Sequence, residues 1–395
     1  MSSLYTLYLI HKDQDCKVQQ LRLALAREMR LLKLKPQLVE VKAGASAKPS
    51  AEEVAACLFL GSAAGKADKN CVQSAHLAVE AGLPTFPVIE EGDSVQQVLP
   101  SALHPFNAVI WRQPGAAEDV ILHLLRSLGL TEFQRRVFVS YRRSDSLIIA
   151  DQLWATLSRR GFQVFLDRFS IDPGVKFQEK LFEALDEKSF VLLVESPEVG
   201  TSSWVEEEIN YARKRNMGLL VLTWPQTVTS GTTLPGIYEK YRVHVPASAI
   251  TVDSSGQGRF SPRFLARAVT VVEERHAAAL LRRRREIMGS VQSELKRVGI
   301  NYVGVADWSL VAETKASGKT KRDCVISITP RAPDVPDLLM LDGHATRHNQ
   351  SDGVLIHTLR SVPEERRGLL EWAIGQRRLL LISEDQIVAF VEDLK

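Results

Sequence analysis

Cysteine is scarce in this chain: Cys16, Cys57, Cys71 and Cys324 are scattered through 395 residues, with no C-x-x-C pair and no histidine grouped beside them. That pattern argues against a disulfide framework and a zinc site, and leaves reduced thiols in core or surface positions. Long apolar runs are missing as well. None reaches the roughly 18 to 20 residues that cross a bilayer, so no membrane span is expected. The opening Met1-Ser2-Ser3-Leu4-Tyr5 lacks a basic leader followed by an apolar stretch, and a cytoplasmic location is expected. Nor is one sign of charge in excess: 50 Lys and Arg against 47 Asp and Glu give a formal net charge of +3. The chain is therefore not a general phosphate-coating protein, and any nucleic-acid contact would be local.

What is present is the composition of a soluble globular protein, 45% hydrophobic and 25% charged. The length suits three modules of about 100 to 150 residues, each burying its own core. Residues 1–130 alternate predicted strands (5–10, 37–41, 56–61, 85–89, 108–111) with helices (17–32, 71–81, 118–128). Residues 134–250 repeat that order, with strands at 137–141, 162–167, 190–194 and 218–223 and helices at 147–160, 177–187 and 204–215. Such alternation predicts mostly parallel sheets covered on both faces. Residues 227–258, rich in Ser, Thr, Gly and Pro, read as loop or linker with one short apolar run at 243–250. A connecting helix is predicted over 260–298, with Pro262 in its first turn, Gly299 as its stop and Gly289 as a candidate interruption. Residues 299–395 are again α/β, with strands at 302–305, 310–314, 324–328, 354–358 and 379–382 and helices at 364–374 and 385–394.

Laying the first module on the second puts Asn70 opposite Trp204 and Ser74 opposite Glu208. The first module reads either as a non-catalytic copy that kept the fold and lost the chemistry, or as a generic α/β domain with no such kinship.

Two segments carry the most information: Arg136-Val137-Phe138-Val139-Ser140-Tyr141-Arg142-Arg143-Ser144-Asp145, and Ser203-Trp204-Val205-Glu206-Glu207-Glu208. Between them lie Gly161-Phe162-Gln163-Val164-Phe165-Leu166-Asp167, a Pro-Gly loop and the apolar 190–196 run. On these residues the second module, about a quarter of the chain, resembles a Toll/interleukin-1 receptor (TIR) domain, and within that family its NAD-cleaving branch, which includes prokaryotic anti-phage effectors. The resemblance implies a flavodoxin-like parallel sheet flanked by a TIR-like N-terminal α/β module and a C-terminal α/β module. It implies an NAD+ glycohydrolase for which NAD+ is substrate, with no cofactor and no metal.

Trp204 and Glu208, four apart on a helix, would share a face beside the carboxyl ends of parallel strands, where open sheets bind ligands. Breaking the nicotinamide–ribose bond leaves a ribosyl oxocarbenium, so a carboxylate facing that cation lowers the barrier; Glu208 is expected to be catalytic. By resemblance, Tyr141 and Trp204 would flank the base, Arg142 and Arg143 would meet phosphate oxygens, and Asp167 and Phe177 would line the same mouth. Glu206 and Glu207 point elsewhere and contribute charge near the helix start. Water attack would give ADP-ribose and internal capture cyclic ADP-ribose. The family also implies homo-oligomerisation through TIR–TIR contacts, driven by a trigger or accessory protein, nucleic acid among the candidates, to deplete NAD in an infected cell.

The last module resembles the restriction-endonuclease-like fold of the Mrr kind, through Asp352-Gly353-Val354-Leu355-Ile356-His357-Thr358 and Glu371-Trp372-Ala373. Its acidic-x-Lys position falls on Ser327-Ile328-Thr329, which cannot hold magnesium. Glu313-Thr314-Lys315 with Asp307 has the right spacing in another register. A degenerate copy, an active nuclease and an unrelated α/β module all remain open here. Two other classes therefore stand beside the enzyme: a non-catalytic TIR scaffold, and a nucleic-acid-directed protein using the last module. The basic run Arg282 to Arg285 reads as a solvated helix end.

Overall fold

The computed structural model describes the chain except residues 1–3, 33, 35–37, 47, 50–52, 113, 132–133, 167–176, 306–307, 314–322, 349–351, 359–361, 363, 376–377 and 395; of 177–180, 203–204 and 364–366 it describes the backbone. Strands β1 (Tyr5–Ile10), β2 (Val39–Ala43), β3 (Ala55–Leu60), β4 (Thr85–Glu90) and β5 (Val109–Trp111) form a parallel sheet in the order β2-β1-β3-β4-β5. Strands β6 (Arg136–Ser140), β7 (Gln163–Phe165), β8 (Phe190–Glu195), β9 (Gly218–Thr223) and β10 (Arg242–His244) form a second in the order β10-β9-β8-β6-β7. In both sheets the first strand lies between the second and the third. This is the flavodoxin-like order, with a topological switch point beside the first strand.

These strands read as they do because both faces are covered. β3 and β8 are buried at every residue, β3 as Ala55-Ala56-Cys57-Leu58-Phe59-Leu60 and β8 as Phe190-Val191-Leu192-Leu193-Val194-Glu195. Such runs suit a parallel sheet packed on two sides.

The linker expected at 227–258 is structured. Pro225–Ser230 is a helix with its proline in the first turn, β10 completes the second sheet, and β11 (Ile250–Val252) pairs with β12 (Gly258–Phe260) in an antiparallel hairpin. Its Ser, Thr and Gly content reflects turns between short elements. Tertiary contact holds them: Gly258 packs so close to the Trp224 ring that a β-carbon would fall 2.2 Å from it.

The 37-residue helix Pro262–Val298 is continuous through Gly289. Ser261 caps it by accepting from the Phe264 amide, and Gly299, at φ +75°, ends it. Its buried stripe recurs at three- and four-residue intervals and touches three cores in turn. Phe264, Ala268, Val269 and Val272 lie in the core of the second module, Ala277 in that of the first, and Ile287, Val291 and Leu295 in that of the third. Buried Glu273 accepts from Arg135 at 2.7 Å and from Arg160 at 3.0 Å, tying this helix to both ends of the second module's opening strand-and-helix unit.

The basic run on this helix is not a solvated end. Arg284 is buried, donates to the Ser127 carbonyl and lies over the Trp308 ring. Arg283 pairs with Glu286 and Glu384, and Arg285 donates to the Gly82 carbonyl. Arg283, Arg284 and Arg285 sit mid-helix against other modules, while Arg282 stays exposed and pairs with Glu286 one turn on.

The third sheet runs β13 (Tyr302–Val305), β14 (Ser309–Glu313), β15 (Asp323–Thr329), β16 (Asp352–His357), β17 (Leu379–Ser383), antiparallel up to β15 and parallel beyond it. A helix absent from the sequence reading, Val335–Arg347, makes the crossover between β15 and β16. Pro333 and Pro336 stand at its start, where proline is tolerated in a first turn, and Asp334 and Asp337 build a capping box there. The three modules join closely. Asn107 and Gly304 share backbone hydrogen bonds with the 105–107 loop and β13, Trp308 donates to the Ser127 carbonyl, and Arg136 pairs with Asp334 at 2.8 Å.

Candidate active site

At the switch point of the second sheet the chain leaves β6 in one direction and β8 in the other. β6 alternates Val137 and Val139 toward one core with Phe138 toward the other, so its last residue, Ser140, is aimed at the side of the sheet that the helix Ser203–Lys214 covers. That helix starts after the 3-10 turn Val199–Thr201, with Ser202 as its cap accepting from the Val205 amide. Its second turn carries Glu208. The Ser140 hydroxyl donates to Glu208 Oε2 at 2.5 Å, and both residues are buried, Glu208 at 8% exposure. Glu206 and Glu207 are exposed, as their positions on the helix predict.

Arg142 precedes the helix Arg143–Ser158 in extended backbone, and its guanidinium crosses to the turn before the Glu208 helix. It donates to the Glu198 carbonyl at 2.9 Å and to the Thr201 hydroxyl, and lies 3.4 Å from the Glu198 carboxylate. Arg142 therefore clips the loop after β6 to the loop after β8. Arg143 is exposed, and its carbonyl accepts from Gln257 Nε2 at 3.0 Å. Gln257 also bonds the Ser144 carbonyl and the Leu147 amide, so the β11–β12 hairpin holds the arginine-bearing turn from outside.

Tyr141 is 7% exposed and shares an apolar cluster with Val139, Ile149 and Trp224, whereas Val205 and Ile209 of the Glu208 helix belong to the other cluster of this module. Trp204 is the second residue of the Glu208 helix, one turn before the carboxylate; its side chain, Asp167 and the side chain of Phe177 lie outside the described residues. Of the expected set, the structure thus brings Glu208 and Arg142 to one edge of the sheet.

Sequence reading passed over Ser140, although the alternation of β6 was enough to put it on the Glu208 side. It also passed over Glu195, which is fully buried at the end of β8. Arg242 donates to its two oxygens at 3.0 and 2.9 Å, Thr223 at 2.7 Å and the Leu234 amide at 2.8 Å. Burial pushes the Glu195 carboxyl up, but the hydrogen bonds from Arg242, Thr223 and Leu234 more than offset this and hold it below the usual carboxylate range. Four donors leave this carboxylate satisfied, so Glu195 fixes β8, β9 and β10 to one another. Among the described residues no group of three His, Cys, Asp or Glu could hold a metal ion, and no helix is long and apolar enough to cross a membrane.

In the third module Ser327, which opens the Ser327-Ile328-Thr329 segment expected to carry acidic-x-Lys, pairs with Ser309 of β14, both buried with oxygens 2.6 Å apart. Glu313 ends β14 opposite Asp323, while Asp307, Thr314 and Lys315 lie outside the described residues.

Residues 137–239 match the family model of the TIR domain, and the chain carries a TIR domain there. The chain is also similar to the NAD(+) hydrolase SARM1 of Danio rerio, 31% identical over 111 residues, which is 25% of this chain. It spans only 15% of that relative's length.

Proposed function

We propose that the TIR domain cleaves NAD+ between nicotinamide and ribose, with Glu208 as the catalytic carboxylate. The observation that carries this reading is the buried Ser140–Glu208 pair at the switch point of a parallel sheet, where a ligand of this fold binds. The relative's name adds support from outside the chain. Glu208 faces the ribosyl cation as the bond to nicotinamide breaks; nicotinamide departs with the bonding electron pair as a neutral base. A water then adds at the vacated carbon and loses a proton, giving ADP-ribose, or the adenine ring adds instead and gives the cyclic product. Ser140 orients the carboxylate. Arg142 keeps the two loops of the crevice together; the family resemblance assigns Trp204 to the base, Arg143 to phosphate, and Asp167 and Phe177 to the mouth, while buried Tyr141 packs in the Val139–Trp224 cluster.

In this reading the enzyme works as a homo-oligomer, in the cytoplasm, as a defence effector released by a trigger that the flanking modules sense. The first module is a TIR-like copy without the carboxylate and the last a degenerate nuclease-like module; neither turns over substrate. NAD+ consumption by concentrated wild-type and Glu208→Gln protein, with particle size measured on the same samples, tests it. Turnover by an assembled wild type that vanishes in Glu208→Gln is the expected result. An assembled wild type without turnover sinks the enzyme and leaves a TIR scaffold.

A further inference from the structure

A cleft of about 530 Å³ lies between the first and third modules, away from the TIR site. One wall is the helix Ala116–Ser127 with the strand β5 beside it; the other is the end of β13 and the helix Val335–Arg347. Its apolar surface comes from Val109, Ile110, Leu122 and Val305. Among the described residues its lining carries three guanidiniums, Arg112, Arg126 and Arg347, three imidazoles, His123, His344 and His348, and the carboxylate of Asp119.

Three guanidiniums at one cleft stand out in a chain that is nearly balanced overall. A concave, partly apolar site lined by one sign of charge focuses the field and concentrates counter-ions. The basic groups also crowd each other. Arg347 Nη2 lies 3.0 Å from His344 Nδ1, and since a guanidinium only donates, that nitrogen accepts. The rings of His123 and His344 face across the cleft with centroids 6.4 Å apart, and Asn107 Nδ2 is 3.5 Å from His348 Nε2. Burial, then the neighbouring His344 and Arg347, pull the His348 pKa below its ordinary value against the opposing pull of Asp323. Arg112 has Glu91 at 3.4 Å, but that pair is exposed and easily exchanged for a better anion.

We propose that this cleft is a binding site for a nucleoside phosphate, whose phosphate meets Arg112, Arg126 and Arg347 and whose base lies against the Val109–Ile110–Leu122 wall and the imidazoles. Guanidinium forks match phosphate oxygens in pairs, and the apolar wall distinguishes a nucleotide from a bare inorganic anion. The volume is of the size that encloses a small ligand, and the walls come from two modules, so the bound molecule would bridge them. The site stands independently of the NAD-cleaving reading.

Calorimetric titration of the full chain with AMP, ADP, ATP, inorganic phosphate and a single-stranded DNA oligonucleotide tests it, carried out on Glu208→Gln protein so that the TIR site turns nothing over. We expect saturable binding of at least one nucleotide. Arg347→Glu should weaken it tenfold or more, while Arg267→Glu, an equal charge reversal on an exposed face of the long helix, should not. Arg347 is exposed, and Arg112→Glu provides the second variant should the first lose its fold by circular dichroism. No saturable nucleotide binding, equal weakening by Arg267→Glu, phosphate binding as tightly as any nucleotide, or binding of the oligonucleotide alone would each overturn the assignment.

Discussion

The first and second sheets are the same scaffold with different ends. Both have five parallel strands in one order, and the helix after the third strand has twelve residues in each, Lys69–Glu80 and Ser203–Lys214. Each is capped from the residue before, by Asp68 or by Ser202, and in each the sixth residue is buried: Ser74 in one, Glu208 in the other. The differences cluster at the carboxyl ends of the strands. β1 ends on Ile10, which packs with Cys71, Ala75 and Ala78, whereas β6 ends on Ser140, bonded to Glu208. β3 is apolar to its last residue, Leu60, whereas β8 ends on Glu195 and its cage of donors. Ser74 turns instead to the Ala45 carbonyl at 2.9 Å. Among the described residues the first sheet is thus held together with no carboxylate at the positions of Glu195 and Glu208. Polar groups buried at the matching strand ends of the second module need partners that the first lacks.

The comparison can be broken hardest at Glu195. Removing its cation with Arg242→Ala leaves an uncompensated buried charge, and we expect about 3 to 5 kcal/mol of lost stability by urea unfolding; a loss below 1 kcal/mol would mean that the cage is not what fixes β10. The reverse graft, Ser74→Glu, places a carboxylate against Ile10 and hydrocarbon. It should cost several kcal/mol, of the order of 3, and create no activity; a stable, NAD-cleaving double mutant of Ser74→Glu and Glu208→Gln would show that the first module needs only the residue and not its surroundings.

Acid should expose another asymmetry. His276 of the long helix sits edge-on to Phe162 and Phe190 of the second module, and burial pulls its pKa to about 3 from an ordinary 6.5. The folded protein keeps it neutral while the unfolded chain takes up the proton. Its contribution is therefore intact above about pH 6.5 and is lost as the pH falls toward 3. His276→Leu should flatten the decline in urea midpoint between pH 7 and pH 5, in roughly that window; an unchanged slope would assign acid lability elsewhere. The smallest effect is at Ser140. Ser140→Ala removes one hydrogen bond, about 1 kcal/mol, and should lower kcat about tenfold with KM little changed. A change in KM alone would make Ser140 a substrate-binding group.

Most of the fold was legible in the residues. Strands such as 218–223 and the 37-residue helix carry periods and caps that act within a few residues, so local sequence suffices. The missed elements are those whose local signals mislead. Val335–Arg347 opens among prolines, and β10 to β12 are three residues each, too short for any period and stable only against Trp224, Gln152 and Glu195. Of the site, Glu208 and its exposed neighbours were readable from helical spacing. Arg142 was found by type, but its reach to Glu198 and Thr201 depends on a turn 56 residues away in sequence.

Sequence by itself therefore determined most of the elements, the alternation of strand and helix in two modules, and the placing of Glu208 on the face of a helix apart from Glu206 and Glu207, because each is encoded by periodicity and caps within a single element. Tertiary structure decided what those residues meet. It set Ser140 under Glu208, caged Glu195, turned an apparently solvated arginine run into a joint between modules, and drew Arg112, Arg126 and Arg347 to one cleft. Side chains distant in the chain share an environment only once the sheets twist and the long helix fixes three cores side by side, and no local pattern records that distance.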